Sequence, residues 1–270
     1  MLASLQESVV GWLRGPHWPV RSSPPPRWGS RSVSLSVEAL EDRCLLSADT
    51  TMPSPTGALA ETGLGDVLLA AQPKGSPSAV FLGDSIAWGF AYHSGAAVWS
   101  QLLAPLGAAD YGISGQTTQS LLYQLTLGQL VGINPTVVVL NIGTNNLEEG
   151  DSPQATAAGI VADVNAIHAY LPLTQVVVLG VPPGAANPTD PYRLEVDQTD
   201  ALVTQLLAGD PRVTLVNIAP ALEQPDGTIS NLTLSDYIHP TMQGYVDLAA
   251  ALLAPIAEAS MVGQVRMQAV

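Results

Sequence analysis

The chain has 270 residues, 47% of them hydrophobic and only 12% charged, which is enough apolar material for a full core and for one or two domains. Nine basic against twenty-three acidic residues give a net charge of −14, which repels polyphosphates and argues against a nucleic-acid partner. Cys44 is the only cysteine, and the four histidines (His17, His93, His168, His239) include no H-x-x-x-H or H-E-x-x-H pair, so neither a disulfide nor a zinc-hydrolase pattern is available.

The charge is unevenly spread. Residues 1–79 are nearly neutral, whereas residues 80–270 carry only Arg193, Arg212 and Arg266 against sixteen acids. That body lacks the basic face of a membrane-surface helix. No apolar run reaches the ~18 residues that a transmembrane segment needs.

Residues 1–78 show neither helical nor strand periodicity. Pro24-Pro25-Pro26 and the Ser/Arg-rich flanks read as extended or disordered chain. Within them Ser34–Ala48, SLSVEALEDRCLLSA, suits one short amphipathic helix. The block resembles a leader motif of exported bacterial proteins and implies an extracellular or cell-surface location. It lacks the plain apolar region of a secretory signal, and a start at Met52 with cytoplasmic residence is the alternative. Thr51–Ser78, rich in Pro, Gly, Ser and Ala, reads as a linker.

From Ala79 apolar runs alternate with amphipathic stretches. Strands are expected at Ala79–Leu82, Ala108–Ile113, Thr136–Ile142, Gln175–Val181 and Val213–Ile218. Helices are expected at Ala96–Leu103, Thr117–Leu127, behind the Ser152-Pro153 cap, at Asp190–Leu207 and at Thr241–Ile256. Five strands alternating with helices imply a three-layer α/β/α sandwich on a five-stranded parallel sheet, a flavodoxin-like arrangement. The domain is expected over residues 79–258, with 259–270 left as a tail.

Four loops then fall at the carboxyl ends of strands or before the last helix, where open α/β sheets bind ligands. They are Gly83-Asp84-Ser85, Gly112-Ile113-Ser114-Gly115, Gly143-Thr144-Asn145-Asn146 and Asp236-Tyr237-Ile238-His239-Pro240. Each is ordinary alone: glycine and Asx turns commonly end strands, and Asp84 or Ser85 would suit a helix cap.

In this order on this topology, the sequence resembles the SGNH, or GDSL-type, hydrolases. The nearest branch is that of the platelet-activating-factor acetylhydrolase catalytic subunits. YGISGQTT (Tyr111–Thr118), Ile142–Asn146 and DGTIS…SDYIHPTMQGY (Asp226–Tyr245) carry that likeness over Ala79–Ile256. Two positions depart from the branch: Gln116 stands where an acid is frequent, and Gln124 where an arginine is frequent.

The chemistry follows from residue types. Ser85 needs a base, and His239 is the best-placed histidine of the folded part. His168 reads as a packing or surface residue, and His93 is a candidate for lining the pocket. Asp236, expected one helical turn before His239, would fix the tautomer of that ring, and Pro240 would start the last helix. The backbone N–H groups of Ser85 and Gly115 and the side-chain amide of Asn145 are the oxyanion-hole candidates, while Asp84 reads as structural.

The resemblance implies a serine esterase that cleaves short-chain acyl esters through an acyl-enzyme. Acetyl is the acyl group that the branch suggests, and a carbohydrate or a lipid supplies the alcohol. The expected partner is a small-molecule or polysaccharide ester, with no metal and no organic cofactor. An acyltransferase using the same residues, or a noncatalytic surface or glycan-binding module of the same fold, are the rival readings.

Overall fold

The run Ala79-Val80-Phe81-Leu82 becomes β1 (Ala79–Gly83), every residue of which is buried. It pairs in parallel with β2 (Ala108–Asp110) on one side and β3 (Val137–Asn141) on the other. β4 (Gln175–Leu179) and β5 (Val213–Val216) complete a parallel sheet in the order β2-β1-β3-β4-β5. The computed structural model describes residues 49–54 and 75–269. The export leader and most of the linker expected before Ala79 lie outside the described residues.

Strand alternation sends side chains to two apolar layers. Val80, Leu82, Val138, Leu140, Val176 and Val178 face α3 (Thr118–Thr126), α5 (Pro153–Tyr170) and α6 (Pro191–Leu207). Phe81, Val137, Val139, Val177 and Leu179 face α1 (Ser85–Tyr92), α2 (Ala96–Leu106), α7 (Ala219–Leu222) and α8 (Met242–Gln268). With helices on both faces, the chain is the three-layer sandwich that its pattern implies. The remaining helix, α4 (Thr144–Glu148), directly follows the loop after β3.

β1 has β2 on one side and β3 on the other, so the crossovers leave in opposite directions there. The switch point of the sheet therefore lies at the carboxyl ends of β1 and β3. Gly83 pairs with Asn141 at this point, and the two loops that follow open side by side.

Several bounds differ from the sequence expectation. β2 holds three residues rather than six, although Tyr111 N–H and Ile113 N–H still donate to Phe81 O (2.8 Å) and Gly83 O (2.9 Å). The α2 stretch passes from α geometry through a π turn at Trp99–Leu103 into a 3₁₀ turn at Ala104–Leu106 that contains Pro105.

The largest correction is at the carboxyl end. Residues 259–268 are not a tail: α8 runs for 27 residues through Pro255 to Gln268. An internal proline costs a helix about 3 kcal/mol, and close packing beyond it opposes that loss. Ser260 Oγ lies 2.7 Å from Thr136 Oγ1, and a Cβ on Gly263 would sit only 2.2 Å from Thr136 O. By length and mean hydropathy α8 passes the test for a membrane span that no run of the sequence was expected to meet. One face of it, however, with Tyr245, Leu248, Leu252 and Ile256, is built into the sheet's core.

A second correction concerns the leader and linker expected over residues 1–78. Asp49–Ser54 is seated on the domain, and Thr50 is only 3% exposed. Thr50 Oγ1 donates to Ala155 O at 2.6 Å, its carbonyl accepts from Thr118 Oγ1 at 3.3 Å, and Ser54 N–H donates to Gln119 O at 3.0 Å. The strap thereby crosses the first turns of α3 and α5. Backbone groups and one hydroxyl do the docking, so hydrophobic periodicity carries no trace of it.

Removing the strap should be measurable. These three hydrogen bonds are worth about 1 kcal/mol each before the entropy of ordering the segment is set against them. A chain beginning at Gly75 is predicted to be about 1–3 kcal/mol less stable in urea than one beginning at Asp49. Coincident unfolding curves would return the segment to the status of a linker.

Asp163 supplies a second prediction. It lies on α5 with 0% exposure, and neither carboxyl oxygen has a hydrogen-bond partner among the described residues. Burial pushes its pKa well above the ordinary aspartate value. The folded state thus holds this proton to a higher pH than the unfolded state does, so stability falls as pH rises past the unfolded-state pKa. Asp163→Asn is predicted to be more stable than the parent at pH 7, with the advantage shrinking as pH drops toward 4. A pH-independent difference between the two melting curves would contradict this.

Candidate active site

The nucleophile candidate is placed by the end of β1. Gly83 has φ 149°, and a Cβ there would lie 1.8 Å from Asn141 O, so only glycine lets the chain turn against β3. Asp84 then caps α1: its Oδ1 accepts from Ile86 N–H at 2.9 Å. Ser85, the first helical residue, is left partly exposed at the switch point. Asp84 itself is fully buried; burial pushes its carboxyl up to about 7, against the opposing pull of Ile86 N–H and the His239 ring.

The candidate base comes from the loop before α8. His239 Nε2 lies 3.0 Å from Ser85 Oγ, and His239 Nδ1 lies 2.7 Å from Asp236 Oδ2. A proton on Nδ1 that donates to the carboxylate leaves Nε2 as the acceptor facing the serine hydroxyl. Asp236 Oδ1 meanwhile accepts from Ile238 N–H (3.0 Å) and His239 N–H (2.7 Å). Partial burial would raise the Asp236 pKa, but these backbone donors and the imidazole outweigh it and hold the carboxyl at about 2.

The local backbone is not the helical turn expected from the D-x-x-H spacing. Asp236 to His239 form an irregular Asx-type turn, Pro240 pairs with Leu234 in an isolated bridge, and Thr241 rather than Pro240 opens α8 as its N-cap. Tyr237 within this turn has φ 65°, left-handed for a non-glycine residue. Its carbonyl accepts from the N–H of Ala185, which is left-handed as well at φ 62°.

The second and third loops are tied together. Gly115 adopts φ 74° in a turn closed by Gln116 N–H to Ile113 O, and Asn145 Nδ2 donates to Gln116 O at 2.8 Å. Asn146, next along, accepts from Thr118 N–H at 3.0 Å and donates to Gln119 Oε1 and Asp151 Oδ2. The two glutamines that depart from the branch pattern meet each other. Gln116 Nε2 donates to Gln124 Oε1, and Gln124 Nε2 donates to Tyr111 O at 3.2 Å. A neutral amide pair thus occupies the place where the resemblance sets an acid and an arginine.

Ser85 and His239 share a cavity of ≈250 Å³ with Trp88, His93, Ser94 and Ser235 among its walls. His93 therefore lines the pocket, as the sequence suggested. Trp88 and Ser94 carried no sequence signal of their own, since both fall outside the four motif loops although Trp88 shares a helix with Ser85. His168 is buried in α5 and plays a packing role. Arg193 is 4% exposed and paired with Glu223, so it does not reach over the pocket. A larger cavity of ≈440 Å³ between β4, β5 and α6 shares no residue with the one that contains Ser85.

Comparison with known proteins identifies the family. A family model described as GDSL-like Lipase/Acylhydrolase family matches residues 81–246. Platelet-activating factor acetylhydrolase IB subunit alpha1 of Homo sapiens is 37% identical over 176 residues, which is 65% of this chain and 74% of that protein. The alpha2 subunit of Gallus gallus is 32% identical over the same shares. Among solved structures, a GDSL-like lipase from Bacteroides thetaiotaomicron superposes with TM-score 0.54 at 23% identity, covering 67% of this chain and 88% of that one. An acetylxylan esterase from Geobacillus stearothermophilus gives TM-score 0.53 at 20% identity, covering 67% and 94%. The chain belongs to the GDSL-like lipase/acylhydrolase family and is an SGNH-type hydrolase acting on carboxylic ester bonds.

Proposed function

We propose that the protein is a serine esterase that removes short acyl groups, acetyl foremost, through a covalent acyl-enzyme. The observation that carries the reading is the unbroken line Ser85 Oγ, His239 Nε2, His239 Nδ1, Asp236 Oδ2, with spacings of 3.0 and 2.7 Å at its two hydrogen bonds. Ser85 Oγ attacks the ester carbonyl carbon as His239 Nε2 takes the hydroxyl proton. The tetrahedral intermediate collapses, His239 returns the proton to the leaving alkoxide, and the alcohol departs. Water, deprotonated by the same imidazole, then attacks the acyl carbon and releases Ser85 with the carboxylic acid.

Asp236 holds the ring in its productive tautomer and stabilises the imidazolium. The negative charge on the carbonyl oxygen is assigned to the backbone N–H groups of Ser85 and Gly115 and to the Asn145 amide. The Asn145-to-Gln116 bond supports this role, because it sets the orientation of the amide before substrate arrives. The names of the curated relatives and of the acetylxylan esterase share the acetyl group, which supports a short acyl chain. The alcohol side, carbohydrate or lipid, is taken up below.

Ser85→Ala and His239→Ala are each predicted to lower kcat for p-nitrophenyl acetate by at least about 10³-fold, with the double variant no worse than either single one. Asn145→Ala should cost about 10²–10³ and act on kcat rather than KM. Wild-type turnover in folded Ser85→Ala would remove the nucleophile assignment. A pure KM change in Asn145→Ala would count against the oxyanion role.

The charge of the body generates another expectation. With Arg193 sequestered against Glu223 and no Lys or Arg among the described residues of the pocket wall, an anionic ester approaches an acidic surface without a clamp there. Neutral acetyl esters are predicted to have the higher kcat/KM, with the gap to size-matched carboxylate esters narrowing as salt is raised. A preference for the anionic ester that weakens with salt would reverse the argument.

A further inference from the structure

We infer that the Trp88–His93 stack is the subsite for the alcohol half of the ester, and that the alcohol it selects is a pyranose sugar. The inference rests on the esterase reading of Ser85 and extends it to the group on the far side of the scissile bond.

The placement comes first. Trp88 lies three residues after Ser85 on α1, so the indole and the nucleophile project from one face of a single short helix. α1 is held rigidly. Asp84 caps its start, and the Tyr245 hydroxyl donates to Ile86 O at 2.9 Å. The Trp88 and His93 rings stack with centroids 5.9 Å apart and planes 25° from parallel. Ser94 Oγ lies 3.0 Å from His93 Nδ1 and orients the imidazole, while Tyr92 flanks the indole at 6.3 Å. Both stacked rings line the cavity that contains Ser85 and His239. A partly exposed tryptophan held in this way is a preformed platform.

The chemistry of the walls then chooses the ligand. Among the described residues no Leu, Ile, Val, Met or Phe lines this cavity, so they offer a long acyl or alkyl chain no trough to enter. Its volume of ≈250 Å³ lies below the roughly 300–1,000 Å³ of pockets that enclose drug-sized ligands, which limits the occupant to something like one ring and its acetyl group. Around the aromatic surface stand the hydroxyls of Ser94, Ser114 and Ser235. A pyranose matches both features. Its axial C–H groups form an apolar face that suits an aromatic ring, and its equatorial hydroxyls point outward to a rim of donors and acceptors. A quaternary ammonium alcohol would also be drawn to an indole face. It would, however, bring no hydroxyl to the serine oxygens, which can still accept a hydrogen bond while Ser94 Oγ partners His93 Nδ1 and Ser235 Oγ donates to His239 O.

The test compares kcat/KM for a methyl xylopyranoside monoacetate, ethyl acetate and acetylcholine, using the full chain. The parent should prefer the acetylated sugar to both others. In Trp88→Ala the sugar-to-ethyl-acetate ratio should fall about tenfold, the scale of one lost aromatic contact. Trp88→Phe should keep most of the ratio, and His93→Ala, which loosens the stack without emptying the platform, should give an intermediate value. Trp88→Phe and His93→Ala keep the question open to decision if Trp88→Ala fails to fold. A ratio unchanged in folded Trp88→Ala, or changed equally by Trp88→Phe, overturns the subsite. A parent that favours acetylcholine overturns the sugar assignment. Ser85→Ala distinguishes the two levels: residual turnover there defeats the nucleophile reading, whereas loss of all three activities leaves the subsite to be judged on the ratios.

Discussion

The site depends on one tie between the ends of the domain. Tyr245, on the first turn of α8, sends its hydroxyl to the carbonyl of Ile86, on the first turn of α1. Burial holds the phenol far above its ordinary pKa, so it stays a donor. Around this bond, Phe81, Phe90, Trp99 and Tyr245 form a chain of ring contacts with centroids 4.8 to 6.1 Å apart. The space for the tyrosine exists because residue 89 is glycine: a Cβ there would lie 2.3 Å from the Tyr245 oxygen. Ser85 sits one residue before one end of the tie, and His239 a few residues before the other. Their 3.0 Å approach follows from aromatic packing rather than from attraction between the two polar groups.

The four motif loops were legible because their signals are local. A glycine at a strand end, an Asx turn and a D-x-x-H spacing each state their purpose within a few residues, and the alternation of apolar runs supplies the sheet that brings them to one edge. What was not legible depends on partners distant in sequence. Thr50 docks through a carbonyl and a hydroxyl onto Thr118 and Ala155, and nothing in its own neighbourhood announces a partner. The helix beyond Pro255 persists because Gly263 and Ser260 reach Thr136, a contact invisible to a reading that ends helices near prolines. Trp88 looked like one apolar residue among several until its helix gave it the same face as Ser85.

The Gln116–Gln124 pair shows how the family scaffold tolerates a change of charge. An acid and an arginine facing each other in this place would attract strongly but would each have to be stripped of water. Two amides meet the same geometric need, since one donates where the other accepts and the second NH₂ continues to Tyr111 O. Both side chains are fully buried, where desolvating an ion pair can cost as much as the attraction returns. Because Gln116 O also holds the Asn145 amide, the neutral pair supports the third loop without adding a field to it.

The left-handed Tyr237 has a wider consequence. A non-glycine residue in that conformation costs roughly 1–2 kcal/mol, and here it is retained between Asp236 and His239. The N–H that braces it belongs to Ala185, in the loop after β4, which is strained in the same sense. A segment outside the four motif loops therefore shares the conformational load of the turn that carries His239. Drift in that loop has a physical route to the imidazole even when every motif residue is unchanged, so two relatives with the same four blocks can diverge in turnover. Exchanging residues 183–190 between them, and following the His239 ring resonances, would expose that hidden inheritance.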